Sequence, residues 1–220
     1  MPLPMFPLGA VLFPTMVMPL HVFEPRYRQL MADCLAGDRE FGVTLIERGS
    51  EVGGGDMRTD VGTAARITEA QELDDGRWIL AAVGTERIRI DHWLADDPYP
   101  LAEVEPWPDV DLTPPHGVAI CYEARCAQLR RLLAFATEMG LSGAPSTLEL
   151  ADDPATGGWQ LAVSAPLGQF DRQRLLVAPG LAARLELLGQ LLEDADQILL
   201  SRLADMPARE DDSPDLPGDA

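Results

Sequence analysis

The sequence predicts an α+β chain, with a β-rich N-terminal half carrying one helix and a helical C-terminal half. Three observations point there. Between Val61 and Ile90, apolar runs and turn signals succeed one another and end in the alternation Arg87-Ile88-Arg89-Ile90, the period of half-buried strands. Leu181, Leu185, Leu188, Leu192, Ala195 and Leu199 recur at i, i+3, i+4 spacing, the stripe of a helix with one buried face. Between them, Pro106 to Pro115 is rich in proline and aspartate, which places a boundary there.

The elements follow in order. Leu3 to Phe6 is a short extended segment punctuated by proline, and Met16 to Val22 is an apolar strand. Pro25 opens a helix, because its missing N–H costs nothing at the first helical position. Tyr27, Leu30, Met31 and Leu35 form the buried stripe of that helix, and Gly37 is expected to close it. Phe41 to Ile46 reads as a buried strand, and Gly53, Gly54 and Gly55 as a hairpin connection. Val61 to Leu73, Trp78 to Val83, Arg87 to Ile90 and Leu101 to Val104 are four further strands, with a turn at Asp74-Asp75-Gly76 and a break at Gly84. Short strands at this spacing suggest a small barrel or folded sheet. Beyond the proline-rich boundary, Val118, Tyr122, Cys126, Leu129, Leu133 and Ala136 share one helical stripe. Leu141 to Ala155 is a loop, Trp159 to Val163 and Leu167 to Val177 are short helices, and Pro179 introduces the leucine-rich one. From Asp205 onward Pro, Asp and Glu dominate, so residues 205–220 are expected to form an acidic disordered tail.

Charge narrows the function. The 220 residues carry 36 acidic and 17 basic side chains, a formal charge of −19. Nucleic acid and anionic membrane surfaces both require clustered cations, so neither is an expected partner. No apolar stretch is long and clean enough to span a bilayer. Five prolines between residues 2 and 19, with no basic residue before Arg26, argue against a targeting segment. A cytoplasmic protein is the resulting expectation. Every basic residue is arginine and lysine is absent. That removes the Walker-A ammonium, Schiff-base chemistry and the Ser–Lys dyad.

Catalytic and metal-binding patterns are missing as well. His21, His92 and His116 stand alone, without H-x-x-x-H or H-E-x-x-H spacing. No serine sits in G-x-S-x-G. Cys34, Cys121 and Cys126 are too few for a disulfide framework. Cys121 and Cys126, five apart on a helix, point about 140° away from each other and cannot share a metal. No catalytic residue, metal or cofactor is expected.

The segment Leu8 to Arg28, LGAVLFPTMVMPLHVFEPRYR, is the most informative. Glu24-Pro25 places a carboxylate at a helix N-terminus. Phe6-Pro7-Leu8-Gly9, Val11-Leu12-Phe13-Pro14 and Pro19-Leu20-His21-Val22-Phe23-Glu24-Pro25-Arg26-Tyr27-Arg28 resemble the N-terminal, substrate-binding domain of the Lon protease family, most closely its stand-alone bacterial members. The resemblance continues at Phe41-Gly42-Val43, Val61-Gly62-Thr63-Ala64-Ala65 and Val83-Gly84-Thr85-Glu86-Arg87-Ile88. It ends at Phe170 to Leu176 and Ala183-Arg184-Leu185, and covers about residues 2–204. One departure is Thr15, where the family usually has Gly and a type II turn would suffer.

The resemblance implies a β-rich pseudo-barrel with one helix over residues 1–108 and a helical bundle over 115–204. It also implies recognition of unfolded or client polypeptides without the ATPase and protease domains of a full Lon protease, with delivery to a separate protease as one role. The alternative is a small-molecule-binding regulatory domain. Val11, Leu12, Phe13, Met16, Val17 and Met18 are six apolar residues in eight, more than a strand buried on one face needs. Flexible thioethers adapt to varied apolar partners, so Phe13, Met16 and Met18 are the expected peptide-binding residues.

Overall fold

The structure is a computed structural model describing residues 2–48, 57–110, 117–141, 145 and 147–204. The expected Gly53–Gly55 connection, His116, the 205–220 tail, and parts of the proline-rich boundary and of the Leu141–Ala155 loop lie outside the described residues. The chain order is β1 (Leu3–Leu8), β2 (Val17–Val22), α1 (Pro25–Ala36), β3 (Glu40–Arg48), β4 (Met57–Glu72), β5 (Trp78–Trp93), β6 (Leu101–Pro106), α2 (Val118–Glu138), α3 (Pro154–Ser164), α4 (Gln169–Val177) and α5 (Leu181–Ala204).

The strands form one sheet in the order β2-β5-β4-β3-β1-β6, and β6 also pairs with β5. β5 serves two neighbours in turn. Its residues 78–83 pair with β2, and residues 88–93 pair with β6. The strands β5, β4, β3, β1 and β6 therefore close a ring, with β2 attached outside it along the first half of β5. All pairings are antiparallel except β1 with β3.

The expected break at Gly84 is not there: Trp78 to Trp93 is one continuous strand. Gly84 serves a different purpose. A Cβ on it would lie 2.2 Å from the carbonyl oxygen of Phe13, so the missing side chain lets the Phe13–Met16 turn dock on the strand. Thr15 N–H donates to Gly84 O at 2.8 Å, and Gly84 N–H donates to Met16 O at 2.9 Å.

Helix α1 begins with Pro25 in its first turn, after Glu24 at the N-cap. The Glu24 carboxylate accepts from Arg26 Nε at 3.2 Å rather than capping the helix. Gly37 does close α1, through its N–H to Asp33 O and Cys34 O, but with φ −105°. The left-handed residue is Arg39, φ 67°. α1 buries Tyr27, Leu30, Met31 and Cys34. They join Phe6, Leu12, Met18, Val22, Phe41 and Leu80 in the core of the β half, and the Phe6 and Tyr27 rings meet edge-on at 4.4 Å.

A larger core belongs to the helices. α2 contributes Tyr122, Cys126, Leu129 and Leu133, and α5 contributes Leu181, Leu185, Leu188, Leu192 and Leu199. Each fully buried leucine contributes roughly 1.5–3 kcal/mol. α3 starts earlier than its apolar residues suggest, because Asp153 accepts from Thr156 N–H at 2.9 Å and Pro154 occupies the first turn. Val11, Phe13, Leu45 and Val61 from the β half enter this same core. No helix among the described residues is long and apolar enough to cross a membrane.

Candidate interaction surface

The three residues nominated by the sequence take different positions. Phe13 is fully buried, its ring 5.6 Å from that of Trp159 on α3. Met18 is buried in the β-half core. Met16 is partly buried and packs against both cores. The apolar excess of this segment is thus largely consumed by two cores that it bridges, one on either side.

Strand parity decides what remains outside. Along β2, Met18 and Val22 face inward, whereas Val17, Pro19 and His21 are exposed. On β5, Leu80 and Ala82 are buried while Ile79, Ala81 and Val83 face out. The register sets Val17 opposite Val83, Pro19 opposite Ala81 and His21 opposite Ile79. Phe23 extends the row, with its ring 6.1 Å from His21. Val17, Phe23 and Ile79 keep 58%, 52% and 49% of their surface open. The row from Val17 to Phe23 is roughly 20 Å long at about 3.3 Å per residue.

The neighbouring strand frames this face with polar side chains. Glu69 lies opposite Ala81 and Gln71 opposite Ile79, and both are exposed, whereas Glu72, opposite Trp78, shares the parity of Val22 and belongs to the other face. Arg66 is neutralised by Glu40, at 2.5 Å, and Arg77 by Asp75, at 2.7 Å. The result is an apolar sheet face bordered by Glu69 and Gln71. The exposed edge of β2 carries Pro19, which has no N–H to offer, a device that limits strand-to-strand addition at an edge. A partner would therefore meet side chains here more than backbone.

A second apolar recess, of about 570 Å³, lies between the β half and the helices, where Leu45 and Thr59 face Phe170, Val177 and Leu187. Phe170 is 68% exposed.

Between the halves sits a polar joint that the sequence pattern did not reveal. Arg87 and Arg184 are 4% and 0% exposed. Arg87 Nη1 donates to the carbonyls of Leu176 and Ala178 at 2.8 and 2.6 Å. Its Nη2 and Arg184 Nη2 both donate to Asp109 Oδ1, at 2.5 and 2.6 Å. The Arg184 guanidinium lies 3.4 Å from the centre of the Trp159 ring, and that of Arg87 4.5 Å from the Trp107 ring. The Arg-Ile-Arg-Ile alternation places Arg87 on the outer face of the barrel, and the helices cover that face. Charged groups at this depth are ordinarily functional or paired. These are paired, and their arrangement is that of a structural weld.

The comparisons agree with this architecture. The model of the ATP-dependent protease La (LON) substrate-binding domain matches residues 2–194. Lon protease 2 of Herpetosiphon aurantiacus is 29% identical over 204 residues, covering 90% of this chain and 24% of that protein. A LON peptidase N-terminal domain and RING finger protein of Schizosaccharomyces pombe is 28% identical over 122 residues, covering 50% of this chain and 25% of that protein. The chain thus spans about a quarter of the length of these curated relatives. Among solved structures, a Lon N-terminal domain protein from Xanthomonas campestris superposes with TM-score 0.60 at 31% identity, covering 94% of this chain and 99% of that one. The N-terminal domain of a Mycobacterium avium complex Lon protease shares the fold, with TM-score 0.64 at 16% identity and coverage of 90% and 98%. With a family match across nearly its whole length, a ringed β half and four packed helices, this chain belongs to the Lon substrate-binding domain family.

Proposed function

We propose that the chain is a non-catalytic polypeptide-recognition module, holding apolar segments of unfolded or client proteins on the outer face of β2 and β5. The observation that carries this reading is the exposed apolar row Val17, Phe23 and Ile79 on the outer face of β2 and β5. Apolar side chains lose water on this row, and a basic residue flanking them meets Glu69. The net charge of −19 acts in the same sense. Such a surface binds weakly and broadly, as recognition of many clients requires. Delivery of the client to a separate protease in the cytoplasm is the role this reading implies. The β half (1–108) makes the contact, and the helical half (115–204) holds the Phe13–Met16 turn that leads into β2. Of the residues nominated from sequence, Met16 reaches the surface, while Phe13 and Met18 act from the cores by fixing the turn and strand.

The test is anisotropy titration of a fluorescent, permanently unfolded polypeptide such as reduced, carboxamidomethylated lactalbumin. Phe23→Ser and Ile79→Ser should each weaken binding about fivefold or more, by the loss of roughly 1 kcal/mol or more of apolar contact, with the melting temperature nearly unchanged. Phe170→Ser, in the other recess, should leave affinity as it was. Unaltered binding in the Phe23 and Ile79 variants would refute the assignment, and a loss confined to Phe170→Ser would move the site to the recess between the halves.

A further inference from the structure

Helices α2 and α5 enclose a cleft of about 420 Å³ on the face of the helical half, distinct from the apolar surfaces above. Its floor includes Leu132 and Leu192. One wall carries Arg125 and Arg131 from α2, and the other Glu193 and Asp196 from α5. These four charges face one cleft, yet among the described residues none has an ion-pair partner within 4.0 Å.

Arg125 is seated there by a dedicated feature. Gly189 lies buried in the middle of α5, where glycine costs about 1 kcal/mol relative to alanine. A Cβ at that position would come within 1.7 Å of Arg125 Nη1. The glycine thus clears the space in which the guanidinium lies across α5. Gln128, one turn further along α2, donates to Gly189 O at 3.1 Å and ties the two helices at this point. Arg125 Nε is shielded from water and has no hydrogen-bond partner among the described residues. An arginine that only covers apolar surface with its stem keeps its head in water. Arg125 instead is held with its Nε enclosed by protein, which fixes the partly exposed side chain at the wall of the cleft.

We propose that this cleft binds a small zwitterion of amino-acid size. Its carboxylate pairs with Arg125 and Arg131, its cation faces Glu193 and Asp196, and a short apolar stem rests on Leu132 and Leu192. The planar guanidinium fork matches a carboxylate. Glu193 and Asp196, three residues apart on one helical face, present two carboxylates to a single ammonium. The volume lies in the range of about 300–1,000 Å³ typical of small-ligand sites, enough for one or two residues and too little for a folded partner. Free basic amino acids and the terminal residue of a peptide ending in lysine share this chemistry.

Isothermal titration of the full chain with L-lysine, L-lysine amide, the tripeptide Ala-Ala-Lys and its C-terminal amide decides the matter. L-lysine or Ala-Ala-Lys should bind, and loss of the free carboxylate should weaken either by about tenfold, or 1.4 kcal/mol. Binding by L-lysine alone assigns the site to a free amino acid, and binding by the tripeptide assigns it to a chain terminus. Arg125→Gln should reduce affinity similarly. So should Arg131→Gln and Asp196→Asn, whose exposed side chains leave the fold intact. No heat from any ligand at about 10 mM, equal binding by acid and amide, or full affinity in both Arg131→Gln and Asp196→Asn would overturn the proposal.

Discussion

Arg87 on β5 and Arg184 on α5 donate to one oxygen, Asp109 Oδ1, from opposite halves of the fold. The Asp109 carboxylate thus bridges two buried cations. Asp109→Asn keeps the shape and removes the charge that both guanidiniums contact. Breaking a buried ion pair by removing one partner costs roughly 3–5 kcal/mol. Asp109 keeps a quarter of its side chain exposed, so the low end, about 3 kcal/mol, is expected. Urea unfolding of the variant should show a much lower midpoint with a similar slope. An unchanged midpoint would mean that the joint does not hold the halves.

Thr15 has φ 67° in the turn between Phe13 and Met16, whose N–H returns to Phe13 O at 3.1 Å. A side chain in that left-handed region costs about 1–2 kcal/mol, and glycine does not pay it. Glycine loses more entropy on folding, which offsets part of the gain. Thr15→Gly is therefore expected to stabilise the chain by about 0.5–1 kcal/mol, measured as a higher urea midpoint. A lower midpoint would show that the exposed hydroxyl has a role the geometry does not reveal.

Phe13 has no accessible surface and meets Trp159 across the joint. Phe13→Ser is expected to cost about 3–5 kcal/mol, as for emptied aromatic core sites. Its client binding, measured under conditions where the variant remains folded, should change less than that of Phe23→Ser. A stable Phe13→Ser variant that no longer binds clients would instead make Phe13 a contact residue.

Much of the fold was legible because periodicity is a local signal. The leucines of the α5 stripe and the α2 residues Val118, Tyr122, Cys126, Leu129 and Leu133 are buried as their spacing implies, while Ala195 and Ala136, in the same stripes, are half-buried. Thr15 was legible too, as the place where a turn wants glycine. What escaped depended on distant packing. Gly84 reads as a break, and only the approach of Phe13 O makes it part of one strand. Arg87 reads as an outward residue, and only the helices laid over the barrel bury it. The exposed row escaped for a related reason. An apolar excess from Val11 to Met18 is visible, but parity and two separate cores decide that Val17 stays out while Phe13 and Met18 go in.

The cysteines should differ in reactivity. Burial, with Asp38 and Asp33 close by, pushes the Cys34 thiol up to about 12, and Cys34 Sγ donates to Glu40 O at 3.2 Å. Cys126 is buried and Cys121 is partly exposed. Since the thiolate is the reactive form, a disulfide-exchange reagent at pH 8 should modify Cys121 first. Cys34 should react only on unfolding. Peptide mapping after brief labelling checks the order, and early labelling of Cys34 would show that α1 opens readily.

The alkaline limb of stability should carry the signature of Tyr99. Its hydroxyl donates to Asp33 Oδ2 at 2.7 Å, linking the segment before β6 to α1. Burial first, and the bond to Asp33 second, raise its pKa from 10 to about 12. The native state therefore holds this proton when the unfolded chain has released it. Stability rises with pH only where the unfolded state binds more protons, so here the sign is negative. The contribution is complete below pH 10 and is lost as pH rises through the interval to about 12. Tyr122 is raised in the same direction, chiefly by burial, and adds to the slope. Tyr99→Phe removes the titrating group together with its bond to Asp33, at a cost of about 1 kcal/mol near neutral pH. Between pH 10 and 12 the variant should lose stability less steeply than the parent, so the two curves converge. Chemical denaturation at pH 8, 10 and 11.5 measures this. Parallel curves across that range would mean that Tyr99 does not carry the alkaline dependence.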